Sequence, residues 1–140
     1  MLYTGLMRLL GIDYGSKKIG LALSDSTGRF ASPLEVIPSS PTTAVTIAKI
    51  CQQEEVSKII IGHSLNYANE PNLIVADSEK LAEKLRVLTG LEVIFEPEVL
   101  TTREAERTVG KDELLDARAA ALILKSYIDR HHHDWKIKYL

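Results

Sequence analysis

Three acidic residues stand where an apolar pattern stops and an acid is not expected by chance. Asp13 closes the run Leu6–Tyr14 (LMRLLGIDY), Glu98 lies just beyond the run Leu91–Phe95 (LEVIF), and Asp116 opens the last helical pattern. Gathered together, three carboxylates repel one another unless a divalent cation neutralises them, and hard oxygen ligands select Mg²⁺ or Mn²⁺. Two such ions about 3.5–4 Å apart can activate a water and stabilise the leaving oxygen in phosphodiester hydrolysis. Each acid taken singly has an ordinary reading. Asp13-Tyr14-Gly15-Ser16 suits a turn with an Asx-type hydrogen bond, Glu98 suits a solvated loop, and Asp116 suits a helix N-terminus. Their joint placement is what favours chemistry.

The elements that must position them follow from the apolar pattern. Leu6–Tyr14 and Lys18–Ser24, joined by a short Gly-Ser-Lys turn, read as a β-hairpin. Arg29–Ile37 supplies a third strand, with Pro33 inside it pointing to a sheet edge. Ser40-Pro41 reads as an N-cap and first helical position for a helix over 42–55. Lys58–Gly62 (KIIIG) and Leu91–Phe95 read as central strands. Between them a helix over Asn72–Thr89 stops at Gly90. Thr101 and Glu104 form a capping box for a short helix ending near Gly110, and the last helix spans about Leu115–Arg130. The fold class is therefore α/β. Three antiparallel strands and two βα crossovers make a mixed five-stranded sheet with helices on both faces. Strand one and the later parallel strands end at one edge, where Asp13 and Glu98 converge and the last helix brings Asp116 alongside.

The chain has 140 residues, 17 Lys+Arg and 19 Asp+Glu, giving a net charge of −2. That length suits one domain of 1–140, with a core of about 6–130 and a peripheral tail from His131 to Leu140. A hydrophobic content of 45% with 26% charged residues excludes a disordered chain. No apolar run is long enough to span a membrane, and no signal-peptide pattern opens the chain. The single cysteine, Cys51, points to a reducing cytoplasm. A charge of −2 lends no support of its own to a nucleic-acid partner.

Residues 11–25, GIDYGSKKIGLALSD, closely resemble the opening signature of the YqgF family of RNase H-like pre-16S rRNA nucleases, also described as Holliday-junction-resolvase-like. Leu100-Thr101-Thr102 with Glu104-Ala105 resembles that family's second block. Asp116-Ala117, Ala119-Ala120 and Ile123-Leu124 with Tyr127 resemble its third. The resemblance covers about Leu6 to Arg130. It implies an RNase H-like fold with Asp13, Glu98 and Asp116 as catalytic, metal-binding acids holding Mg²⁺ or Mn²⁺. It implies hydrolysis of structured RNA at the 5′ end of pre-16S rRNA, within the small-subunit precursor. Substrate contacts would come from Gly15, Lys17, Lys18, Asn66, Thr101 and Thr102. The chain departs from the family pattern at Pro97 and Val99, which replace an aspartate and an arginine. It also departs in the loop Gly62–Pro71 and in the shortened stretch from Thr102 to Asp116.

Beyond the family pattern, Glu113 lies three residues before Asp116 and is a candidate fourth metal ligand, as related resolvases pair two acids at this spacing. Its alternative is a surface acid favoured by the helix dipole. His131-His132-His133 cannot converge on one zinc from consecutive helical positions. Cys51 reads as a packed thiol, and His63, after its strand, as a cleft residue or a structural hydrogen-bonding group. Two other activities remain open: a resolvase of branched DNA, which would need a homodimer rather than a monomer, and a noncatalytic RNA-binding factor on the same fold.

Overall fold

The computed structural model describes residues 7–64, 73–98 and 115–138, with side chains for 7–62, 76–97 and 116–131. In chain order the elements are β1 (Arg8–Asp13), β2 (Lys18–Ser24), β3 (Ala31–Pro38), α1 (Thr43–Gln53), β4 (Val56–Ser64), α2 (Leu73–Thr89), β5 (Glu92–Glu98) and α3 (Leu115–Lys138). The strands form one sheet in the order β3-β2-β1-β4-β5. β1–β2 and β2–β3 pair antiparallel, β1–β4 and β4–β5 parallel. This is the mixed five-stranded sheet expected from the pattern, and β2 occupies the expected residues. β3 is the edge that Pro33 predicts. Pro33 sits opposite Ala22, next to a register irregularity where a missing N–H is tolerated.

Strand alternation sends Leu10, Ile12, Ile19, Leu21, Ile59 and Ile61 into one core with Ile47 of α1 and Leu85 of α2. Leu9, Ala22 and Ile60 face the other way, onto Ala120, Ile123, Leu124 and Ile128 of α3. Helices therefore cover both faces. No described helix is long and apolar enough to cross a membrane.

Several boundaries differ from expectation. β5 extends to Glu98 and is an edge of the sheet, not a central strand. It reads as central because helices cover both its faces, burying Val93 on one and half-burying Ile94 on the other. β4 extends to Ser64 and so contains His63. The N-cap of α1 is Thr42 rather than Ser40. Thr43 Oγ1 accepts from the Ser40 N–H at 2.8 Å and donates to the Pro38 carbonyl at 3.1 Å, which ties residues 38–40 into a turn before the helix begins. α3 continues past Arg130 to Lys138. Neither glycine nor proline interrupts the run there. α2 stops where expected, with Gly90 at φ +70° and its N–H bonded to the Arg86 carbonyl at 2.9 Å. The expected short helix from Thr101 to Gly110 lies outside the described residues.

Candidate active site

β1, β4 and β5 run parallel, so their C-terminal ends share one edge of the sheet. Asp13 is the last residue of β1, half-buried, and pairs across the antiparallel ladder with Gly20. On its other side, one register step beyond the pair Ile12–Ile61, lies Gly62. Glycine thus flanks Asp13 on both neighbouring strands.

α3 enters over this row. A Cβ placed on Gly20 would overlap the backbone carbonyl of Asp116. At Gly11 a Cβ would lie 2.9 Å from the Ala120 carbonyl. Ala117, Ala119 and Ala120 are all buried, so the first turns of α3 lie flat on β1 and β2 with only small residues between. The sequence therefore brings the half-buried Asp116 to the strand partner of Asp13. Gly15 makes the turn that closes this corner, since a Cβ there would come within 2.5 Å of the Lys18 carbonyl.

Glu98 ends β5 opposite Ser64, at the same edge of the sheet. It is the terminal residue of a strand, where the sequence pattern suggested a residue just past one. Lys17 and Lys18 are exposed at the β1–β2 turn, and the Lys17 carbonyl accepts the Ser39 N–H at 2.9 Å. The carboxylates of Glu98 and Glu113 and the residues Asn66, Thr101 and Thr102 lie outside what the structure describes. Among the described residues no group of three His, Cys, Asp or Glu gathers to hold a metal. The donors described are two carboxylates, Asp13 and Asp116, set against glycine. Hard oxygen donors of this kind fit Mg²⁺ or Mn²⁺ rather than a thiophilic ion.

Two features escaped the sequence pattern. Glu96 is buried on β5, where its Oε2 accepts from Ser126 Oγ at 3.0 Å and from Arg130 Nη1 at 3.2 Å. This pins the active edge of β5 to the C-terminal half of α3. The only sequence signal was an acid inside an apolar strand. The second is the pair Lys80 and Lys84 on α2, which border a cavity with Tyr14. Their signal was a four-residue spacing on one helix face.

Elsewhere the structure separates chemistry from packing. Cys51 is buried, and burial pushes its thiol up to about 11, as a packed cysteine requires. The His131 ring stacks on Tyr127 with centroids 4.1 Å apart, and its Nδ1 lies 2.9 Å from the Tyr127 carbonyl. Partial burial of Asp25 opposes ionisation. The Thr27 hydroxyl and the backbone N–H groups of Phe30, Arg29 and Thr27 outweigh it and hold that carboxyl below its ordinary value. Asp25 is thus the organiser of the β2–β3 turn.

Residues 7–130 match the family model described as RuvX: Holliday junction resolvase. A protein of Opitutus terrae named "Putative pre-16S rRNA nuclease" is 35% identical, covering 89% of this chain and 92% of its own. One of the same name from Streptococcus uberis is 34% identical, covering 89% and 99%. Among solved structures, Thermus thermophilus RuvC in complex with a Holliday junction substrate superposes with a TM-score of 0.57 at 17% identity, covering 89% of this chain and 95% of that one. The fowlpox virus Holliday junction resolvase gives 0.54 at 15% identity, covering 89% and 99%. The two superpositions establish the RNase H-like fold of the resolvases.

Proposed function

The chain belongs to the RuvX family, and from that premise we propose that it is a divalent-metal-dependent nuclease that hydrolyses phosphodiester bonds in the 5′-end maturation of pre-16S rRNA. The observation that carries the reading is the seating of Asp116 on Gly20, the strand partner of Asp13. Both acids are half-buried at that contact. Asp13, Asp116 and Glu98 would hold Mg²⁺ or Mn²⁺, with Glu113 as a fourth ligand. When bound, such ions supply an activated water and charge stabilisation at the leaving oxygen. The chain's own groups do the positioning. Gly15 turns the backbone past the edge, Lys17 and Lys18 meet phosphate, and Asn66, Thr101 and Thr102 complete the substrate contacts. A ribosomal small-subunit precursor as substrate places the protein in the cytoplasm.

The test is purified protein with and without Mn²⁺ on a precursor rRNA 5′ fragment, beside an Asp13→Asn variant. Metal-dependent cleavage that disappears in the variant is the expected result. Cleavage that survives the substitution overturns the site. RNA binding without cleavage at any metal concentration favours a noncatalytic factor. The family description supports one second reading, cleavage of branched DNA, so a four-way junction belongs in the same assay. Preference for the junction, together with a dimer in solution, would select it.

A further inference from the structure

Asp13 and Tyr14 are consecutive at the end of β1, but they serve opposite faces of the sheet. Asp13 shares its strand parity with Gly11, which lies under α3, while Tyr14 packs against the core beneath α1 and α2. On that second face Tyr14 forms one wall of a cavity of about 150 Å³. The start of α1 (Ser40, Thr43) forms another, and Lys80, Lys84 and Asp77 of α2 form the third. Lys80 and Lys84 are exposed and four residues apart, so both ammonium groups sit on one helix face. The Lys17 carbonyl bonds Ser39 at 2.9 Å, which fixes the Lys17–Lys18 turn next to the same entrance. Among the described lining residues two lysines, Lys80 and Lys84, stand against one carboxylate, Asp77, with the Lys17–Lys18 turn beside them, in a chain whose net charge is −2.

We propose that this cavity is a phosphate subsite, taking a backbone phosphate of the nucleic-acid strand next to the one hydrolysed at Asp13. The inference rests on the nuclease reading. Asp13 and Tyr14 are consecutive, so the cavity opens at the same end of β1 as the proposed catalytic edge, and a strand passing over that edge runs from one to the other. The cavity opens to solvent and has room for a phosphate with some of its hydration. Lysine ammonium groups act on phosphate as point charges and read no base. The subsite therefore contributes affinity and register rather than sequence preference. The first turn of α1 carries no acid and its N-cap Thr42 makes no side-chain cap bond, so the helix dipole adds to the positive potential there. A second cavity, lined by Val45, Cys51 and Leu88 between α1 and α2, has Lys49 as its one charged lining residue.

The experiment compares wild type with Lys80→Ala/Lys84→Ala and Lys80→Arg/Lys84→Arg. Binding of a fluorescein-labelled single-stranded RNA is read by anisotropy across a salt series in the absence of metal. Steady-state cleavage of the precursor fragment is read in its presence. The alanine pair should weaken binding about tenfold and flatten the plot of log K against log salt by about 0.7, the value of one single-strand phosphate contact. KM should rise with kcat within about twofold of wild type, as for loss of uniform binding. The arginine pair should restore affinity, since charge rather than shape is being supplied. Lys125→Ala, whose ammonium pairs with Asp129 on α3, should change nothing. Unchanged affinity and slope in the alanine pair overturn the subsite, as does a fall confined to kcat. If wild type cleaves and the alanine pair is indistinguishable from it, the subsite falls and the nuclease reading stands. If wild type binds with the lysine-dependent slope and never cleaves, the reverse holds.

Discussion

Against α1 and α2 the sheet presents Leu10, Ile12, Ile19, Leu21, Ile59 and Ile61, all less than one per cent exposed. Against α3 it presents Leu9, Gly11, Gly20, Ala22 and Ile60, with Ala117 and Ala120 answering at the first turns of the helix and Ile123, Leu124 and Ile128 further along it. The first face is filled by branched aliphatic volume, which removes much apolar area from water and holds its helices at a distance set by side chains. The second gives up that area where Gly11 and Gly20 lie and gains closeness, so that backbone meets backbone beneath Asp116. Close positioning is therefore confined to the glycine end of the second face. The catalytic residues proposed here use the face with less to spare.

That contrast can be broken from either side. The largest effect should come from Leu10→Ala on the aliphatic face. A cavity there should cost about 2–5 kcal/mol, read by urea unfolding, while kcat at a permissive temperature stays near wild type. Gly20→Ala should cost about 1–3 kcal/mol through overpacking against the Asp116 carbonyl. Its activity should fall far more than its stability, because the helix must lift at the acid it carries. If the two variants lose activity in proportion to stability, the division between the faces is wrong. Arg130→Ala sharpens the comparison at the far end of α3. It leaves the buried Glu96 carboxylate with Ser126 as its remaining described partner, and it should cost about 1–2 kcal/mol, discounted because Arg130 is itself more than half exposed. The smallest effect is a pH dependence of the aliphatic face. Cys51 holds its proton to about 11 in the folded state against an ordinary 9.0. Its contribution is thus fully present below 9.0 and declines as the pH rises towards 11. Native protein at pH 8 should resist thiol alkylation, and unfolding in urea should expose the thiol.

Much of this was readable from residue order. The hairpin from Asp13 to Lys18, the buried strand KIIIG and the helix stop at Gly90 are local signals, and the structure keeps them. Asp13 and Asp116 were readable as a pair because each interrupts an apolar pattern. What the sequence pattern missed depends on neighbours distant along the chain. β5 looks central because two helices cover it, and no periodicity distinguishes covered faces from a paired edge. Thr43 captures Ser40 and Pro38, which moves the helix start by two residues. The role of Gly20 is invisible until α3 is laid upon it. Lys80 and Lys84 look like solvated surface until β1 and α1 place Tyr14, Ser40 and Thr43 opposite them.

The seating of Asp116 on Gly20 joins the last described helix to the first hairpin. During synthesis the strands and their aliphatic core can form while the C-terminal segment is still unmade, since domains tend to fold from the N-terminal side onward. Until α3 arrives, Asp13 and the end of β5 share an edge that Asp116 has yet to reach. If Asp13 and Asp116 act as proposed, a ribosome-bound intermediate would lack one of its acids until the last helix is made.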